Sequence, residues 1–319
     1  MSEATPHLLC FGLGYSARAL AGRLDDKSWR ITGTSRNPGG PGCLRFDRDH
    51  PLAPAAFTGV THILVSIPPD EAGDPVLDIH GEDIAALSAS ERGPPARVRA
   101  GRPRSGVADR GLAWVGYLST TGVYGDRAGG WVDERSELRP SGARGQRRVA
   151  AEAGWLDLWR RHGVPMHIFR LAGIYGPGRS PFDALRAGTA KRVDRPGQVF
   201  SRIHVDDLAS VLIASIARPR PGAIYNVCDD EPAASEAVIA HAAALLGLPA
   251  PPLVPFAAAG LSPMARSFWD DNRRVSNALI KAELGVALRH PNYRAGLAAI
   301  LAATPDRGQA MNRRQASGS

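Results

Sequence analysis

Short apolar runs rich in β-branched and aromatic residues alternate with amphipathic stretches through the first half of the chain. Their spacing predicts strands at 7–11, 29–34, 43–46, 61–67, 113–118 and 165–170. The runs are apolar at consecutive positions, which a strand buried on both faces of a parallel sheet requires and a half-exposed strand does not. Helices are predicted near 15–24, 76–87 and 145–162. In the last of these Val149, Ala153, Leu156 and Trp159 recur at spacings of three and four and so share one helix face. Strand and helix in strict alternation predict an α/β fold with a doubly wound parallel sheet. Beyond residue 171 Pro and Gly punctuate shorter elements: strands in SRIHV and AIYNVCD, and helices near 206–217, 234–246, 274–284 and 292–302. The expected organisation is a sheet domain over 1–171 and a small C-terminal α/β lobe over 172–303, parts of which pack back onto the sheet. A flexible tail over 304–319 follows. Residues 88–111 have no hydrophobic period and too much Gly, Pro and Arg to pack, and are expected to form an exposed loop.

The first strand runs directly into Gly12-Leu13-Gly14-Tyr15-Ser16-Ala17 and then into a helical stretch, which is the order a dinucleotide-binding Rossmann fold requires. Gly12 permits the tight turn, Gly14 lets the backbone approach a pyrophosphate, and Ala17 lets helix and strand pack closely while Tyr15 and Ser16 open the helix at the anion. At the end of the second strand an NAD site needs a carboxylate for the ribose hydroxyls. This chain has Ser35 and Arg36 there, a pair suited to the 2′-phosphate of NADP.

Further along, STTGVYG at 119–125, Glu134, Pro140, Glu152, RLAGIYGPGR at 170–179, IHVDD at 203–207 and YNVCDD at 225–230 follow one another in a distinctive order. With these motifs the chain resembles the extended short-chain dehydrogenases/reductases, the NAD(P)-dependent epimerase/dehydratase family, and in particular their atypical members. The resemblance implies that Asp47 contacts the adenine, that Ser66, Ile67 and Pro68 pass along the cofactor, and that Thr120 binds the substrate oxygen. It also implies a Tyr and a Lys four residues apart on the next helix, and here those places hold Arg144 and Arg148. Arg148 can still serve the nicotinamide ribose, but a guanidinium stays charged at physiological pH and cannot act as the general acid. Tyr124 and Tyr175, in VYG and IYG turns, are the alternative sources of a phenol, and Trp131, Arg179 and Arg202 are candidates to line a cleft for an anionic ligand.

Composition changes this picture little. Of the formal charge of +8, six units lie in 88–111 and 304–319, and 36 of the 39 basic residues are arginine, so the excess is not a nucleic-acid stripe. His162 and His167 are separated by Gly163 and Pro165 and are not a zinc pair, and Asp229, Asp230 and Glu231 read as a turn before Pro232. No metal is expected. Cys10, Cys43 and Cys228 have no paired spacing and are expected reduced. The polar start of the chain and the lack of a long apolar run lead us to expect a cytoplasmic protein with a small-molecule substrate, neither nucleic acid nor membrane as partner, and room for a homodimer. Two functions fit: an NADP(H)-binding, epimerase/dehydratase-like oxidoreductase for a small polar substrate, either a sugar nucleotide or another anion, and a catalytically silent NADP(H)-binding sensor.

Overall fold

The computed structural model describes residues 5–24, 28–40, 42–89 and 111–303. Seven strands, β1 (His7–Phe11), β2 (Arg30–Ser35), β3 (Cys43–Arg45), β4 (His62–Val65), β5 (Trp114–Thr120), β6 (Met166–Leu171) and β7 (Ile224–Val227), form one sheet in the order β7-β6-β5-β4-β1-β2-β3. Every neighbouring pair is parallel. The order reverses direction at β1 and β4, the place where a doubly wound sheet opens a crevice for its ligand.

Successive side chains of β1 enter different layers. Leu8 and Cys10 pack with Leu20, Leu208 and Leu212 on one face, while Leu9 and Phe11 pack with Val76, Ile84 and Trp155 on the other. The first layer is covered by α1 (Tyr15–Ala21), α4 (Val205–Ala217) and α6 (Ala278–Leu284), the second by α2 (Pro75–Ala89) and α3 (Ala143–His162). Burial on both sides explains why the strands read as unbroken apolar runs. β7, α4 and α6 come from the second half of the chain and complete the sheet domain, whereas Tyr175, Phe182, Leu185, Ala242, Tyr293 and Leu297 build a separate core with α5 (Ser235–Leu245) and α7 (Tyr293–Ala303). The helix expected over 274–284 begins only at Ala278, because Arg274 and Val275 pair in parallel with Trp131 and Val132 instead. The loop expected over 88–111 falls, except at its edges, outside the described residues, as does the tail 304–319. Among the described residues no helix is long and apolar enough to cross a membrane.

Burial holds the imidazoles of His62 and His167 down to about 4, against an ordinary value of 6.5. The unfolded chain therefore takes up protons first on acidification. The stability these rings contribute is present above about pH 6.5 and is lost as pH falls through about 4. His167 Nε2 accepts from the Arg220 N–H at 2.8 Å. His167→Gln keeps an acceptor there without the titrating ring, and it should narrow the gap between urea midpoints at about pH 7 and about pH 4.5. An unchanged gap would remove His167 from this account.

Candidate functional site

A cavity of about 800 Å³ opens at the C-terminal end of the sheet, where Gly14, Tyr15 and Ser16 meet Ser66, Pro68, Ser119, Thr120 and Arg148. Gly12 and Gly14 play different parts in its floor. Gly12 has φ +87°, and a Cβ there would stand 2.8 Å from Ser66 Oγ and 2.9 Å from Ile67 Cγ1. Its N–H donates to Thr34 Oγ1 at 2.9 Å and its carbonyl accepts from Ser66 Oγ at 2.5 Å, so this glycine is locked into the fold. At Gly14 a Cβ would meet nothing within 4 Å, and the helix that follows has neither a side-chain cap nor an acidic residue in its first turn. Backbone donors facing open space, with no acid in the helix's first turn, suit a pyrophosphate. A dinucleotide therefore fits the residues present.

Ser35 and Arg36 stand at the end of β2 with Arg36 exposed, and the Ser35 hydroxyl turns back onto the Asn37 backbone. The Asp47 carboxylate accepts from His50 Nδ1 at 2.6 Å and from the Asp49 N–H at 3.0 Å. The His50 bond is the main reason that its pKa is lowered. Ile67 is half-buried beneath Gly12, and Pro68 is exposed on the cavity wall.

Thr120 ends β5 and caps the short turn that follows, its Oγ1 accepting from the Gly122 N–H at 3.1 Å. With that lone pair engaged, the hydroxyl proton is free to be donated into the cavity. Arg148 reaches the same wall from α3. Its Nη1 donates to Leu118 O at 2.5 Å and to Tyr117 Oη at 3.1 Å, and the guanidinium lies 5.4 Å above the Tyr117 ring. Arg144, one turn earlier and exposed, holds its guanidinium 5.2 Å over Phe268.

Tyr124 corrects an expectation, since it is fully buried and absent from the cavity wall. Its hydroxyl donates to Asn226 Oδ1 at 2.7 Å and accepts from Arg170 Nη1 at 2.9 Å. Burial raises its pKa despite the Arg170 charge beside it. Arg170 in turn pairs with Glu152 at 2.7 Å, and Glu152 also accepts from Ser119 Oγ at 2.6 Å. The phenol thus belongs to a buried polar network behind the site. Tyr175 does reach the wall, but its hydroxyl bonds Asn292 O at 3.3 Å and burial raises its pKa. Trp131 is exposed and stands off the cavity.

The far wall comes from the second half of the chain. Phe200, Arg202, Phe268, Trp269, Asp271 and Arg273 complete it. Phe268, Trp269 and Arg273 belong to no motif, and a pair of adjacent aromatics among polar neighbours is the only trace they leave in the sequence. The wall carries five arginines, at 144, 148, 179, 202 and 273, against the single carboxylate Asp271, so its net charge is strongly positive. Asp271 is already spent on Arg273, 2.8 Å away. Arg202 donates to the carbonyls of Phe200 and Ala233 at 2.7 and 2.9 Å, and burial lowers its pKa, with Asp229 acting in the opposite sense.

Sheet order, glycine turn and cavity together define a dinucleotide-binding oxidoreductase fold. The model of the NAD dependent epimerase/dehydratase family matches residues 106–228. A conserved protein of unknown function from Silicibacter pomeroyi DSS is 50% identical, with 95% of this chain and all of that one aligned at a TM-score of 0.82. Protein YeeZ of Escherichia coli K12 is 27% identical over 251 residues, 75% of this chain and 84% of YeeZ. The fold is shared with the human epimerase family protein SDR39U1, solved with NADPH, at 18% identity and a TM-score of 0.67 over 93% of this chain and all of that one. The chain therefore carries a domain of the NAD dependent epimerase/dehydratase family at 106–228, within a fold it shares over nearly its whole length with solved relatives.

Proposed function

We propose that the protein is a cytoplasmic NADP(H)-dependent oxidoreductase that reduces or oxidises a small anionic substrate without the family's Tyr–Lys pair. The observation that carries this reading is a single cavity joining the open Gly14 floor, Thr120 and Arg148 to a wall of five arginines. The cofactor, when bound, supplies or accepts the hydride. Thr120 would donate its hydroxyl proton in a hydrogen bond to the substrate oxygen, and Arg144 would stabilise negative charge developing there, since preorganised cations are strong contributors at a developing oxyanion. The proton itself would come from water, because a guanidinium cannot release one at neutral pH. Arg148 keeps the lysine's position while its bonds to Leu118 and Tyr117 hold it in place.

The preference for NADP rests on Ser35 and Arg36 and on the absence of any Asp or Glu from Arg30 to Phe46. Hydrogen bonds to a charged phosphate are worth about 1.5–3 kcal/mol each, or about ten- to a hundredfold in affinity. Arg36→Ala should therefore weaken NADPH by at least about tenfold while leaving NADH nearly unchanged, as read by calorimetry. Equal binding of the two cofactors by the wild type would overturn the preference. The burial of Tyr124 and the arginine at position 144 also favour a second reading, a silent NADP(H) sensor. NADPH oxidation assayed against a panel of carboxylated and phosphorylated carbonyl compounds separates the two: tight binding with no turnover across the panel would favour the sensor.

A further inference from the structure

Behind the cavity wall at Tyr175, at the start of α4, two histidines and an aspartate converge from opposite ends of the second half of the chain. His204 and His290 are both buried, with ring centroids 4.0 Å apart, while the Asp206 side chain is 43% exposed beside them. Asp206 Oδ2 lies 3.6 Å from His204 Nδ1 and 3.8 Å from His290 Nε2, and one donor atom from each residue falls within 4.8 Å of the others. Hydrogen-bonded partners would stand at roughly 2.7–3.0 Å. Ligands sharing a tetrahedral zinc ion, at bond lengths of about 2.0–2.1 Å, stand about 3.3 Å apart. The observed separations are closer to the second pattern. The half-exposed Asp206 side chain can rotate to shorten its own two separations, and the ring nitrogens of His204 and His290 already lie within 4.8 Å.

We propose that His204 Nδ1, Asp206 and His290 Nε2 form a zinc-class divalent metal site, with solvent at the fourth position beside the exposed carboxylate. The tautomer suits it. His204 Nδ1 accepts a long 3.2 Å bond from the Asp206 N–H at the start of α4, so its lone pair faces Asp206, the proton is on Nε2, and an ion would take the place of that weak capping bond. Nε2 is buried with no hydrogen-bond partner, and the ring stands edge to face with Tyr175, so nothing holds the imidazole in the opposite tautomer. Two imidazoles and one carboxylate are a donor set suited to Zn²⁺ or Co²⁺ and poor for Mg²⁺ or Ca²⁺. Cationic neighbours work against a cation here: Arg23 bonds the Asp206 carbonyl at 2.7 Å, and Arg289 adds positive charge next to His204. The ion would tie the start of α4 to the segment before α7, joining residues 86 positions apart in the chain. That separation is why sequence spacing shows no such motif. The site takes no part in the hydride transfer proposed above.

The test uses the untagged full-length chain stripped with a chelator, titrated calorimetrically with ZnCl₂ and examined by visible absorption with Co²⁺. One Zn²⁺ per chain, tetrahedral-type cobalt bands and a melting temperature raised by Zn²⁺ are expected. His290→Asn and Asp206→Asn should each weaken binding at least about tenfold, whereas His162→Asn, at the exposed end of α3, should leave it unchanged. Should His290→Asn fail to fold, Asp206→Asn carries the comparison, because its side chain is partly exposed. No saturable uptake below millimolar Zn²⁺, an octahedral aquo-type cobalt spectrum, or undiminished binding in the Asp206 variant would overturn the proposal.

Discussion

Glu152→Ala should cost the protein about 3–5 kcal/mol of folding stability, about two to nearly four decades in the folding equilibrium and the largest loss we expect from any single side chain described above. Glu152 and Arg170 pair at 2.7 Å with both side chains 3% exposed, so removing the carboxylate leaves a guanidinium in the core with only the Tyr124 oxygen and the Glu134 carbonyl as partners. The same change removes the acceptor of the Ser119 hydroxyl, one residue before Thr120, so the site wall should loosen along with the fold. Exposed pairs behave differently. Arg161→Ala, which breaks a pair whose side chains are 72% and 46% exposed, should leave the urea midpoint within experimental scatter. Glu152→Gln keeps the shape and an acceptor, and should fall between the two. A Glu152→Ala midpoint indistinguishable from wild type would mean that the buried pair is neutral to folding.

This network also shows why some of the chain was legible in advance and some was not. The strands could be read because a doubly covered parallel sheet writes itself as consecutive apolar residues, and β1 is bounded in the structure where its apolar run begins and ends. The cradle could be read because its glycines are close in sequence. Tyr124 was misplaced because a motif reports proximity along the chain and not direction. Gly125, with φ +65°, and the short turn before it swing the phenol inward to Asn226, a partner 102 residues away. Arg274 and Val275 looked helical for a similar reason, since their strand pairing is with residues 131–132. The far wall, from Phe200 to Arg273, exists only when the second half of the chain folds back over β5. Local pattern carries no record of it.

The final expectation separates the fold from the cofactor site at a single position. Gly14→Val should abolish dinucleotide binding, by more than about a hundredfold, while leaving the fold almost as stable as before. The backbone at Gly14 is extended, with φ −87° and ψ −163°, a conformation open to any L-residue, and a Cβ there meets nothing within 4 Å. The residual cost is the poorer helix cap, about 1 kcal/mol or less. The space the new side chain fills is the part of the cavity floor facing the start of α1, where a pyrophosphate would have to approach the backbone. Gly12→Ala makes the contrast: it forces a positive φ on alanine and drives its Cβ against Ser66 and Ile67, so stability and binding should fall together and the result would say little about the ligand. Calorimetric NADPH binding and a thermal melt on the same Gly14→Val sample decide the matter. A normal melt with lost binding places the pyrophosphate over Gly14. A normal melt with wild-type affinity would move the cofactor site elsewhere, and Arg36, Thr120 and Arg148 would lose their assigned roles with it.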